Sequence, residues 1–241
     1  MDRVTAILPA AGLGTRMGAE TPKQFLSLDG VPLLLFTLRR LAACPAITDF
    51  IIATRSEEVG SVAATVASEN FSQPVRVVRG GDSRQDSVSN ALSEASPEAD
   101  LILVHDAVRP MVTRDMIERV IAEADICDAA ILGIPAMDTV KEVKRATPQG
   151  GATDVALIIA TIPRERVVLA QTPQVFRASL LLEAFARARA DGVTASDEAG
   201  LVERIGHDVH VVAGSDRNLK ITRPGDMELA EFYLRQERGA R

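Results

Sequence analysis

The chain has no tryptophan and a single tyrosine in 241 residues, with aromatics at only 3%. Without rings on which bases could stack, a single-strand nucleic-acid platform is not expected. Positive charge is not in excess either. The net charge of −6 argues against a nucleic-acid or membrane-surface partner. Cysteine is scarce. Cys44 and Cys127 lie far apart, outside any ligand-like spacing, and read as two small hydrophobes in a reducing compartment rather than as a disulfide or zinc site. No run is long enough to span a bilayer. The longest apolar stretch, VALIIATI over Val155–Ile162, falls far short of the ~20 residues needed. Met1-Asp2-Arg3 leads straight into VTAIL without the apolar core of a secretory signal, so a cytoplasmic location is expected.

What is present is a core. Hydrophobic residues make up 46% of the chain, enough for one large α/β domain over residues 1–241. Short β-branched runs at Val4–Leu8, Asp49–Ala53, Val75–Val78, Leu101–His105 and Ala129–Ile134 alternate with helical patterns near Leu33–Ala43, Val59–Ser68, Gln85–Ala95 and Arg114–Glu123. The apolar runs lack clean alternation, as strands covered on both faces do. The order predicts a doubly wound, mostly parallel sheet of Rossmann-like type, with ligands at the loops that follow strands. From Asp138 to Leu169 the pattern changes. Two β-like stretches flank a Pro148-Gln149-Gly150-Gly151 turn and predict a projecting hairpin arm. Helices near Ala178–Asp191 and Asp197–Arg204, a strand near Val209–Val212 and a helix over Gly225–Gln236 complete the reading.

The stretch LPAAGLGTRMGAETPKQF (Leu8–Phe25) carries the first chemical signal. Gly12, Gly14 and Gly18 would let backbone N–H groups approach a polyanion closely. Arg16 lies within the loop and Lys23 just after it, one suited to clamping phosphate oxygens and the other to reaching a phosphoryl group as a point charge. The glycine spacing is one residue too long for a dinucleotide loop, and the second strand ends in IIATR without the ribose-binding acid. No Lys-Ser or Lys-Thr follows Gly18, so a P-loop is also excluded. A triphosphate site of another kind remains.

PAAGLGTRMG…PKQFL resembles the opening of the nucleotidyltransferases that activate sugars and polyols. GGDSRQDSV (Gly80–Val88), HDAVRP (His105–Pro110), DTVK (Asp138–Lys141), QTPQVF (Gln171–Phe176), SDEAGLVE from Ser196 and NLKITRPGD from Asn218 follow in order. Together the segments span nearly the whole chain and resemble the 2-C-methyl-D-erythritol 4-phosphate cytidylyltransferase family of the non-mevalonate isoprenoid pathway. Ribitol-5-phosphate cytidylyltransferases share much of the pattern. The resemblance implies that a phosphate monoester attacks the α-phosphorus of CTP in line and pyrophosphate leaves, with no protein nucleophile and with Mg²⁺ or another divalent cation as cofactor.

Carried over residue by residue, the resemblance implies catalytic roles for Arg16 and Lys23 at the triphosphate. It implies nucleotide contacts from Ala10, Ala11, Gly12 and Ala107, with Gly81, Asp82 and Ser87 reading the cytosine. Asp106 becomes a substrate and metal contact, with Asp216 a further acidic candidate. Arg109, Thr139, Arg164, Thr172, Ser196 and Lys220 become polyol-phosphate contacts. His105 reads as a hydrogen-bonded strand-end residue, not a ligand. The expected partners are CTP, a polyol phosphate and a second copy of the chain. A two-stranded hairpin is marginal alone in water, its apolar face is most cheaply covered by the same arm of a two-fold mate, and the resemblance implies that Thr139 and Arg164 reach the neighbour's site. A non-catalytic nucleotide-binding module is the alternative of another class.

Overall fold

The computed structural model describes residues 3–12, 22–146 and 155–239, and of Arg145, Ala146 and Val155 only the backbone. In chain order the strands and helices are β1 (Val4–Pro9), β2 (Ser27–Leu28), β3 (Val31–Pro32), α1 (Leu33–Ala42), β4 (Ile47–Thr54), α2 (Val59–Ala67), β5 (Val75–Arg79), α3 (Arg84–Ser93), β6 (Leu101–Val104), α4 (Arg114–Cys127) and β7 (Ala129–Pro135). There follow β8 (Val140–Ala146), β9 (Val155–Ile162), β10 (Val168–Arg177), α5 (Ala178–Ala190), α6 (Glu198–Arg204), β11 (His210–Ala213) and α7 (Pro224–Gly239).

Seven strands form one sheet in the order β11-β7-β10-β6-β1-β4-β5. All neighbours pair in parallel except β10, which is antiparallel to both β6 and β7. The central strands are apolar on both faces because both faces are covered. Val4, Ala6 and Leu8 of β1 pack with Phe50 and Ile52 beneath α1, α2 and α4, through Leu38, Val62 and Ile117. Ile7, Ile51 and Ala53 point the other way, against Val88 of α3, Leu181 of α5 and Leu201 of α6. Each fully buried large apolar side chain contributes roughly 1.5–3 kcal/mol, so the two-sided core is the main support of the fold. The chain leaves β1 through α1 to β4 and β5, then returns through α3 on the opposite face to β6, the other neighbour of β1. The winding reverses at β1, and the loops beyond the carboxyl ends of β1 and β6 part there to leave a crevice.

The hairpin is present. β8 and β9 pair antiparallel, Val140 opposite Ile162, as a separate two-stranded sheet. The Pro148–Gly151 turn lies outside the described residues. The expected arm boundary at Leu169 is corrected: Val168 and Leu169 already belong to β10 and pair with Pro135 and Ile134 in the main sheet. The pattern does not reveal β10 because Pro173 interrupts it, and proline normally argues against a central strand. The structure accommodates it with a register shift. Gln171 pairs with Leu132 and Gln174 with Ile131, so Thr172 and Pro173, joined by a cis peptide bond, drop out of the ladder with β7.

Candidate active site

The crevice at the switch point is walled by three loops. Pro9 ends β1 and Ala10–Gly12 follow it, Gly81–Arg84 follow β5, and Asp106–Val108 follow β6, with Lys23, Gln24, Ser87 and Lys220 completing the lining. Lys23 opens a single 3₁₀ turn, Lys23–Phe25. That turn is fastened to the sheet by Gln24, which is buried and donates from Nε2 to the Ala10 carbonyl at 2.7 Å. Gln24 has no role in the sequence reading, yet it sets where the neighbouring lysine stands.

The two glycines before α3 are required by close approach. A Cβ on Gly80 would lie 2.8 Å from the Ala11 Cβ and 2.9 Å from Ser87 Oγ, and one on Gly81 would lie 2.3 Å from the Asp86 Cβ. The loop after β5 thus packs directly onto the loop after β1. Ser83 caps α3, accepting from Asp86 N–H while the Asp86 side chain accepts from Ser83 N–H. Ser87 Oγ accepts from Gly81 N–H at 3.1 Å and donates to the Ser83 carbonyl at 2.8 Å.

Asp106 is the electrostatic centre. It is 5% exposed, and three cations converge on it. Arg84 Nε reaches Oδ1 at 3.2 Å, while Arg109 Nε and Lys220 Nζ share Oδ2 at 3.3 and 2.9 Å. Burial alone would raise the carboxyl's pKa, but the three cations outweigh it and hold the pKa well below the usual carboxylate range. Arg109 is fixed in turn by donating from Nη1 to the Asn218 carbonyl at 2.7 Å. Arg84 is gripped from behind by the buried Glu198. Neither Arg84 nor Glu198 carries a role in the sequence reading, although both lie inside quoted motifs. No local pattern shows that residues 114 positions apart form a pair.

His105 is fully buried and bonded at both ring nitrogens. The Arg109 carbonyl can only accept, so Nε2 donates to it at 3.2 Å. Thr172 Oγ1 accepts from Asp106 N–H at 3.1 Å and donates to Nδ1 at 3.0 Å. This set needs the neutral ring, and burial accordingly pushes its pKa down to about 4. Because the folded pKa is depressed, the neutral ring's contribution is complete above its unfolded value of about 6.5 and is lost as pH falls toward 4. The penalty at pH 5 is about 2 kcal/mol. Denaturant unfolding at pH 7 and pH 5 should show His105→Gln losing about that much less stability than wild type on acidification. Equal losses would mean His105 is not held neutral.

Of the residues expected from sequence, Ala10, Ala11, Gly12, Lys23, Gly81, Asp82, Ser87, Asp106, Ala107 and Lys220 line one cleft. Arg109 bonds Asp106 directly, and Thr172 does so through the Asp106 N–H. Arg16 lies outside the described residues. Thr139, Arg164, Ser196 and Asp216 are exposed and are not among the residues lining the cleft. Arg164 instead donates to the Met137 carbonyl at the base of the hairpin, at 2.7 Å.

Residues 4–236 match the family model for 2-C-methyl-D-erythritol 4-phosphate cytidylyltransferase. A protein of that name from Acidobacterium capsulatum is 56% identical over 240 residues, covering 97% of this chain and 98% of the relative. Among solved structures, a 4-diphosphocytidyl-2C-methyl-D-erythritol synthase from Anaerococcus prevotii superposes with a TM-score of 0.82 at 26% identity, covering 97% of this chain and 99% of that one. The cytidylyltransferase from Thermus thermophilus superposes with a TM-score of 0.74 at 34% identity, with coverage of 97% and 99%. With motifs, sheet order, cleft and full-length similarity in agreement, the chain belongs to the 2-C-methyl-D-erythritol 4-phosphate cytidylyltransferase family.

Proposed function

We propose that this protein transfers the cytidylyl group of CTP to 2-C-methyl-D-erythritol 4-phosphate, releasing pyrophosphate and the 4-diphosphocytidyl product. The observation that carries this reading is the convergence of Lys23, Lys220, Asp106 and the Gly80-Gly81 loop on the switch-point cleft, in a chain similar along its whole length to enzymes so named. Gly81, Asp82 and Ser87 are assigned to the cytosine, Ala10–Gly12 and Ala107 to the nucleotide backbone, and Lys23 with Arg16 to the triphosphate. Lys220, Arg109 and Asp106 are assigned to the polyol phosphate. Thr172, whose hydroxyl is used by Asp106 N–H and His105, holds that wall in place. No side chain need form a bond to phosphorus, because the acceptor's phosphate is itself the nucleophile. The work of the protein is alignment and charge complementarity. Both cysteines have thiols pushed up by burial, which suits packing rather than chemistry and fits a cytoplasmic setting.

A divalent cation fits this donor set when it arrives with the nucleotide. A carboxylate offers about four lone-pair positions, and three cationic donors already approach Asp106, which leaves room for a single metal contact. The same three cations would repel a bare dication, whereas a triphosphate offsets them. Mg²⁺ commonly binds through one or two carboxylates plus substrate phosphates, and Asp106 would be that carboxylate here. Bound there, the ion would neutralise charge on the triphosphate oxygens. Asp216 is exposed and away from the cleft lining, so it receives no part.

The hairpin is assigned to dimerisation. Val143, Leu157, Ile158 and Ile159 are each more than half exposed on it, in a protein whose main core is otherwise well covered. A matching arm from a two-fold mate would bury these residues and bring Thr139 and Arg164, which lie away from their own cleft, to the mate's polyol phosphate.

The acceptor is tested by initial rates of pyrophosphate release from CTP with methylerythritol 4-phosphate and with ribitol 5-phosphate. The methylerythritol acceptor should give the higher kcat/KM, by at least about tenfold, which corresponds to one misfitted polar contact. The reverse preference would reassign the acceptor and leave the cytidylyl chemistry standing.

A further inference from the structure

Arg84 and Glu198 are given no part in the reaction above, yet they form a charged pair at the cleft whose carboxylate is almost completely buried. Glu198 opens α6 at 1% exposure. The Arg84 fork meets it with three hydrogen bonds, Nη1 to Oε1 at 2.7 Å and to Oε2 at 3.0 Å, and Nη2 to Oε2 at 3.0 Å. The remaining nitrogen of the guanidinium, Nε, holds Asp106 Oδ1 at 3.2 Å. One side chain therefore ties the start of α3, the loop after β6 and the start of α6 together.

Two consequences follow from this arrangement. Lys220 and Arg109 both pull on Oδ2 of Asp106, and Arg84 is the charged group on Oδ1. Without it the carboxylate can turn about its terminal torsion toward the two cations. Arg84 also lines the cleft. A guanidinium in that place is a ready clamp for phosphate oxygens, since its fork matches them as well as it matches a carboxylate. Glu198 occupies that fork.

We infer that Arg84 is a positioning residue for Asp106, locked by Glu198, and that Glu198 keeps the same guanidinium from clamping the triphosphate and retaining pyrophosphate. The inference rests on the cytidylyl-transfer reading. It assigns work to two residues that touch neither substrate.

Glu198→Gln tests both halves. Released from its ion pair, Arg84 should turn to the phosphates. Pyrophosphate should then inhibit about tenfold more tightly, the worth of one charge-assisted bond. The KM for CTP should not rise. Asp106 is left without its fixed orientation, and kcat should fall roughly 10–100-fold. Because removing one member of a buried pair also destabilises a fold, the double variant Arg84→Met/Glu198→Leu is measured alongside. Replacing both charges by apolar groups should return most of the thermal stability lost by the single variant. Pyrophosphate inhibition should return to the wild-type level, because no guanidinium remains. Turnover should stay low, because Asp106 is still unbraced. A double variant with wild-type kcat would overturn the positioning role. Unchanged pyrophosphate inhibition in Glu198→Gln would overturn the shielding role. Should Glu198→Gln not fold, the double variant decides the positioning role, and Glu198→Asp, whose shorter carboxylate cannot fill the Arg84 fork, decides the shielding role by the same pyrophosphate measurement: tighter inhibition supports it and unchanged inhibition overturns it. Wild-type protein that does not turn over CTP would remove the reaction reading and the inference together, whereas active wild type with indifferent variants removes only the inference.

Discussion

Lys23→Ala is expected to lower kcat roughly 10²–10³-fold, about 3–4 kcal/mol, with a smaller loss in nucleotide binding. The expectation follows from how the lysine is held. Its 3₁₀ turn is pinned through buried Gln24 to the Ala10 carbonyl, one residue past the end of β1, so its backbone does not need to reorganise when substrate arrives. A charge placed in advance acts most where charge changes most. Negative charge shifts within the triphosphate as the α-phosphorus becomes five-coordinate, so the effect falls on turnover more than on ground-state affinity. Steady-state kinetics with varied CTP separates the two. A variant with unchanged kcat and only a raised KM would make Lys23 a residue of uniform binding and remove it from the transition state.

The second large effect is a recovery. Lys23→Ala and Arg164→Ala proteins, each nearly inactive, should regain activity when unfolded and refolded together. Arg164 lies at the base of the β8–β9 hairpin, exposed and away from the cleft lining of its own chain. The hairpin's apolar residues, Leu157 and Ile158 among them, are exposed. If arms exchange between copies, a mixed dimer contains one body with intact Lys23 facing an arm with intact Arg164, and that site is whole. At random pairing about half of the dimers are mixed, each with one complete site, so roughly a quarter of wild-type activity should return. If Arg164 served its own chain, every site would carry one lesion. Mixed dimers demonstrated by mass, with no recovered activity, would end the shared-site proposal.

Much of this was legible in the sequence because it is written locally. Runs such as VTAIL and DFIIA lack alternation since both faces of β1 and β4 are buried, and the structure shows Ile7 and Leu8 at 0% exposure on opposite faces. GGDSRQDSV follows an expected strand at Val75–Val78 and runs into an expected helix near Gln85–Ala95, and the structure places it directly after β5 and into the start of α3. What could not be read is what depends on distant contact. β10 hides because Pro173 breaks its pattern, and only the β6 and β7 neighbours make it a strand. Gln24 looks like any polar residue of a turn until Ala10 lies beneath it. The bond between Arg84 and Glu198 joins two motifs that are far apart in the chain, and each motif has a bland local explanation as a helix start. His105 was legible as a hydrogen-bonded strand-end residue, but not its partner Thr172, which leaves the β10–β7 ladder at the register shift.

Direct transfer of a cytidylyl group in this cleft can be followed by phosphorus NMR of a single reaction. CTP, methylerythritol 4-phosphate, Mg²⁺ and the wild-type protein are followed with time. The monoester signal of the acceptor and the three signals of CTP should disappear together. One pyrophosphate and one pair of coupled diphosphate-diester signals should replace them, in equal amounts and only when the acceptor is present. Consumption of CTP to CMP at the same rate without the acceptor, or no consumption of CTP at all, would contradict direct transfer.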